Sequence, residues 1–200
     1  MAVDVYCYIE RRTDLEWRFT GNVVPNEERQ YDSDAPVLAP SYVLHSVSKE
    51  LASILVDTGW AIRASEPYTP VVPRRGRPAD LSAELSGYFR FFDGDAGTVF
   101  SWFTTEELNA FGLNTRIMIR KAFVPTKAAS LFKGCPFGFP LQDWPRGVPV
   151  KIAGWSRDGT EVTWKEAYST IIQEFVDVVP SQLAMAGPPD ETRLIVMANW

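Results

Sequence analysis

The chain has 200 residues, 46% of them apolar and 22% charged, which is long enough to bury a core without disulfide or metal staples. Its net charge of −5 lacks the basic footprint that a general DNA binder needs. With only two cysteines, no disulfide framework is encoded, and no stretch has the apolar length of a membrane span.

The N-terminal "AVDVYCYIE" alternates with period two, placing Val3, Val5, Cys7 and Ile9 on one face and Asp4, Tyr6 and Tyr8 on the other. It reads as a strand that begins at once, with no basic start followed by an apolar run. "EWRFTGNVV" is its expected partner across the turn "RRTD", and the polar, proline-bounded residues 25–40 are expected to form a loop. Over 41–58, Val43, Leu44, Val47, Leu51, Ile54 and Leu55 recur at helical spacing. Ser41 is the expected cap and Gly59 the expected stop, which places His45 at the border of a helical stripe.

Residues 60–79 are irregular. "PADLSAEL" opens a short helix, with Asp80 or Ser82 as cap. "DGDAG" is a turn, and Asp-Gly is itself a strong turn signal. "TVFSWF" is a strand, and Thr104 with Glu107 forms a capping box for the next helix. "TRIMIRKAFV" is another strand, and about 125–150 the chain is an irregular Pro/Gly/aromatic segment within one domain spanning 1–200. Thr163 and Glu166 read as a second capping box for a helix over 163–179, with a stripe at Trp164, Tyr168, Ile171, Ile172, Phe175 and Val179. "TRLIVMANW" closes the chain as a strand, apolar on both faces and therefore central. The expected fold is α+β, with a mixed or largely antiparallel sheet that contains the first and last strands and two main helices packed on it.

A single histidine, His45, excludes multi-histidine metal sites and two-histidine phosphodiester chemistry. There is no phosphate loop, dinucleotide fingerprint or nucleophile elbow. The expectation is therefore metal-independent action with no cofactor and no catalytic residue. Where a ligand could sit is suggested by Arg74, Arg75 and Arg77, which crowd a Pro/Gly turn just before a helix start. Arginine makes planar, bidentate contacts to phosphates and carboxylates. With Tyr68 and Trp60 before them and Trp102 after, charge for a phosphate and rings for a base lie close in sequence.

These stretches also carry a resemblance. "MAVDV", "EWRF", "HSVSKELASILVDTG", "PRRGRPADLSAEL", "SWFTTEEL" and "TRLIVMANW", in that order, resemble the pattern of a family of small phage and prophage proteins. The chain departs from it in the extra arginine at Pro73-Arg74-Arg75-Gly76, in Val99 and Phe100 where a polar residue or histidine precedes Ser-Trp, and in an ending without an acid. The resemblance implies an accessory protein of the bacterial cytoplasm, of the counter-defence kind, and no particular reaction. Joined to the arginine cluster, it gives the leading expectation: sequestration, without catalysis, of a small anionic ligand such as a cyclic or signalling nucleotide, by a protein that could be a homo-oligomer. An enzyme processing nucleotides or phosphoesters through carboxylates and arginines is the first alternative, and a protein–protein adaptor or inhibitor the second.

Overall fold

The first strand, β1 (Asp4–Thr13), has two edges, and the rest of the main sheet is built on them. In the computed structural model, which describes residues 2–200, β2 (Glu16–Phe19) pairs with Glu10–Thr13 of β1. The chain then leaves the sheet. β3 (Val23–Pro25) and β4 (Leu38–Pro40) form a separate antiparallel arm, with a single 3-10 turn at Glu27–Gln30 between them. The chain returns as β5 (Leu44–Val47), which pairs with Asp4–Cys7 of β1. The strands β2 and β5 thus share one edge of β1, and the arm springs from the gap between them. Thr20 and Val43 anchor its two ends by donating to the carbonyls of Ile9 and Cys7.

This corrects two sequence expectations. The partner strand of β1 stops at Phe19, because Val23–Pro25 pairs within the arm. The segment around His45 is strand, and α1 (Lys49–Val56) starts eight residues after Ser41, capped by Ser48, whose hydroxyl accepts from the Leu51 amide. Residues Leu44–Val47 fit a helical stripe and an edge strand equally well in isolation. The open hydrogen bonds of β1 decide for the strand. At the far end of α1, Asp57 takes the left-handed cap at φ 54°, ahead of Gly59.

Next come α2 (Ala83–Phe89), β6 (Thr98–Thr104) and α3 (Thr105–Phe111). The expected box at the start of α3 is present in both directions: Glu107 N–H donates to Thr104 Oγ1 at 3.2 Å, and Thr104 N–H to Glu107 Oε2 at 2.9 Å. Strands β7 (Ile117–Pro125) and β8 (Gly159–Ala167) form a two-stranded sheet. The expected box at Thr163 and Glu166 is absent, because both lie within β8. The helical part is α4 (Tyr168–Ile171), a break at Ile172, and α5 (Gln173–Ala186), which runs on through Pro180. Trp164 consequently leaves the helical stripe and centres a separate cluster with Phe132, Phe139 and Trp144. The irregular segment after β7 packs on β7 and β8 in this way. The last strand, β9 (Thr192–Asn199), lies between β1 and β6, giving the order β2-β1-β9-β6 with every pairing antiparallel.

Alternation gives the main sheet two apolar faces. On the first, Val5, Cys7, Ile9, Leu194, Val196 and Phe103 meet α1 and α5, the two main helices. Burial on this face pushes the Cys7 thiol well above its ordinary range. On the second, Tyr8, Phe100, Ile195 and Met197 meet Leu85 and Phe89 of α2. Helix α2 has two turns and cannot cover that face from end to end. Both candidate sites lie on what it leaves over. Among the described residues, no helix is long and apolar enough to cross a membrane.

Candidate functional site

At one end of the second face, residues 73–82 run across β6 and β9 as a strap. Its arginines have partners. Arg75 grips Glu107 with both terminal nitrogens, at 2.9 and 2.6 Å, and lies over the Trp102 ring at 4.8 Å. Arg77 donates to the Phe89 carbonyl at 2.9 Å, pairs with Asp93 and covers the Phe100 ring. The Arg74 amide donates to Asp57, and its guanidinium makes no ion pair among the described residues. Under the strap, Arg193 is 1% exposed and Glu10 0%. Arg193 bonds Glu10 at 2.8 Å and Asp80 at 2.8 Å, with its guanidinium carbon 4.0 Å from the Trp17 ring and 5.4 Å from that of Trp102. The second oxygen of Glu10 accepts from the Ser82 amide at the start of α2, at 2.8 Å. A protein carboxylate thus fills the helix end at which an anion was expected.

Of the six residues expected at one ligand site, the structure places Arg74, Arg75 and Arg77 on the strap, with Trp102 of β6 beneath Arg75. Trp60 lies edge-on to Trp200 at 5.4 Å, under Lys49. Tyr68 is buried, donates to the Ile62 carbonyl at 3.0 Å and accepts from Arg120. Neither ring stacks on a strap arginine. An anion on the strap would have to displace Glu107 from Arg75 and Asp93 from Arg77.

At the other end of the same face, β1, β5, the arm and the segment 88–95 enclose a cleft of about 750 Å³. Its floor is Tyr6, Tyr8 and Met197, and its walls include Tyr42, His45, Tyr88 and Phe92. Strand register explains the floor. Tyr6 pairs directly across from His45, so both side chains leave the same face, and their rings stack at 4.6 Å with an 8° interplanar angle. His45 Nε2 is 2.8 Å from Asp4 Oδ1, one pleat along the same face, and Tyr42 meets Tyr6 edge-on at 5.5 Å. The only histidine of the chain is thus held between a carboxylate and a ring.

Tyr8 is 1% exposed and lines this cleft, and its hydroxyl has no hydrogen-bond partner among the described residues. The hydroxyls of Tyr6, Tyr42 and Tyr88 likewise bond no described residue. Burial, followed by the charges of Asp4 and Glu28, pushes the Tyr6 phenol up to about 12. Burial lifts Tyr8 well above the ordinary range, and burial with Glu28 and Tyr42 lifts Tyr88. At neutral pH these groups are protonated hydroxyls that can donate or accept a hydrogen bond, and they are not bases.

The cleft escaped sequence reasoning because its parts come from residues 6–8, 24–45, 88–95 and 197–199. The one local signal was the pair Tyr6 and Tyr8 on the face of β1 opposite the aliphatic one. Among the described residues, no group of three or more His, Cys, Asp or Glu is placed to hold a metal ion. No family model matches the chain, and no curated protein and no solved structure matches it either.

Proposed function

We propose that the protein is a small-molecule binding protein that holds its ligand unchanged, and that the aromatic cleft beside the arm is where it does so. The observation that carries this reading is the cleft of about 750 Å³ itself, floored by aromatic rings, with a Tyr8 hydroxyl that has no hydrogen-bond partner among the described residues. A ligand group placed in the cleft replaces the water that meets this hydroxyl with a hydrogen bond of its own. A concave, mostly apolar site with a few convergent polar groups is the usual form of a small-molecule pocket. Non-catalytic holding is supported by the phenols, which are raised away from neutral pH and suited to positioning a ligand by hydrogen bonds. Sequestration of a host molecule would also suit the accessory role that the phage resemblance implies.

The test is capture and release. The protein is incubated with a fractionated bacterial metabolite extract, washed and heated, and the released compounds are identified by mass spectrometry. The reading expects one compound to be enriched and recovered intact, lost when Ala39→Trp fills the cleft, and retained by Arg75→Ala. Enrichment lost in Arg75→Ala and retained in Ala39→Trp would move the site to the strap and restore the anionic expectation. Recovery of a converted product would make the protein an enzyme.

A further inference from the structure

Resting on the cleft reading, we infer that the cleft takes a small organic cation, an ammonium-type group carried on an apolar body. The charge of the lining points this way. Glu27, Glu28, Asp32 and Asp95 line the cleft, and no lysine or arginine does. The one lining group able to carry positive charge, His45, is already matched by Asp4. Arg29, the nearest cation in sequence, donates to the Ala35 carbonyl at 2.8 Å and does not line the space.

The four acids are not equivalent. Asp32 accepts from the Asp34 amide, and both oxygens of Asp95 accept, from the Gly97 amide and the Thr98 hydroxyl. The side chains of Glu27 and Glu28 accept no hydrogen bond from any described residue. The charge of Glu28 reaches two of the phenols, contributing to the raised titration of both Tyr6 and Tyr88. Glu27 and Glu28 are exposed and line the same cleft as the rings, and such a cleft attracts a cation twice: by direct charge, and through the negative face of each aromatic ring. The Tyr8 hydroxyl below can accept a hydrogen bond from an ammonium. The same field repels a phosphate or carboxylate.

The division of labour on the second face follows. Of the strap's arginines, Arg75 and Arg77 are neutralised by Glu107 and Asp93, whereas the carboxylates of the cleft form no ion pair among the described residues. A ligand cation would supply their counterpart.

The experiment uses four probes that share one body and differ in charge: benzyltrimethylammonium, benzylamine, benzyl alcohol and benzoate. Each is titrated into the full chain, and the aromatic NMR signals of Tyr6, Tyr42 and His45 are followed. Both cations are expected to move these signals with a Kd at least about tenfold below that of benzyl alcohol, and to weaken as salt is added. Glu28→Gln, which removes a charge that holds nothing in the fold, should weaken the cations about tenfold and leave benzyl alcohol unchanged. Equal affinity for cation and alcohol, or tightest binding of benzoate, would overturn the cation while leaving the cleft as a binding site. If no probe moves the signals, the cleft reading and this inference fall together.

Discussion

Replacing Arg193 with methionine should cost the protein about 4 kcal/mol. The side chain is enclosed, its partner Glu10 more so, and the two are 2.8 Å apart. Without the guanidinium, Glu10 is an unpaired charge away from water, and breaking one side of a buried pair costs about 3–5 kcal/mol. Methionine keeps contact with Trp17 and Trp102, which limits the added loss of packing. For a chain of this size each kcal/mol shifts Tm by about 2–4 °C, so the expected fall is about 8–16 °C. The double variant Glu10→Gln/Arg193→Met separates charge from shape. It removes both charges and leaves an amide oxygen for the Ser82 amide, so it should recover at least about 2 kcal/mol of the single-variant loss. Urea unfolding of wild type, both single variants and the double variant gives the coupling. If Arg193→Met costs less than about 1 kcal/mol, or if the double variant is as unstable as Arg193→Met, water reaches the pair and the strap is not locked down by it.

Three other outcomes can be measured on the same preparations. Thr104→Ala removes one arm of the capping box and should cost about 1 kcal/mol in urea unfolding, with no loss at all if the backbone caps itself. Arg75 hydrogen-bonds the Glu107 carboxylate and, with the Thr104 amide and against the opposing effect of burial, holds it below its ordinary value of 4.5. The unfolded chain therefore binds the extra proton as pH falls through that range: the contribution of the pair is whole above about 4.5 and disappears below the folded value. Stability measured from pH 6 to 3 should fall less steeply in Arg75→Ala, and parallel curves would show that the pair adds nothing. In a rapid jump to pH 11 followed at 295 nm, Tyr6, Tyr8 and Tyr68 should stay protonated, because burial raises all three. Ionisation of all seven tyrosines with a common midpoint near 10 would mean that the cleft floor is wet.

The sequence made legible what depends on neighbours along the chain. The period-two pattern of Val3 to Ile9 placed Cys7 on the buried face, two-sided apolarity put Leu194–Ala198 in the centre of the sheet, and Thr104 with Glu107 marked a helix start. It misled where local pattern was ambiguous and a distant partner decided. Val43 to Val47 satisfied helical spacing until β1 offered an edge, and Trp164 fell in phase with the α5 stripe although β7 held it in a strand. For the arginine strap, the segment was identifiable but the state of its charges was not. The carboxylates that meet Arg75 and Arg77 lie 32 and 16 residues further on, a separation at which no spacing rule operates. The acids at 27 and 28 are exposed, as a polar loop implies, and that they share a cleft with Tyr6 and Tyr88 is a tertiary feature.

Tyr8 belongs both to the core and to the cleft. Its ring is core, 5.4 Å from that of Phe89 and edge-on to it, and at 1% exposure it gains as much from burial as a phenylalanine would. The hydroxyl makes no bond to a described residue and belongs to the floor of the cleft, so the fold gains nothing from it that a phenylalanine would lack. The substitution Tyr8→Phe should therefore leave Tm within about 2 °C of the wild-type value. It should also weaken capture of the ligand by about fivefold to tenfold, the loss of one hydrogen bond of about 1–1.5 kcal/mol. An unchanged Tm together with weakened capture is the signature of a group kept for binding. A clear fall in Tm would mean that a shifted side chain bonds the hydroxyl in solution. Unchanged capture would mean that the ligand sits higher in the cleft, against Tyr42 and His45, and that the floor serves only the sheet.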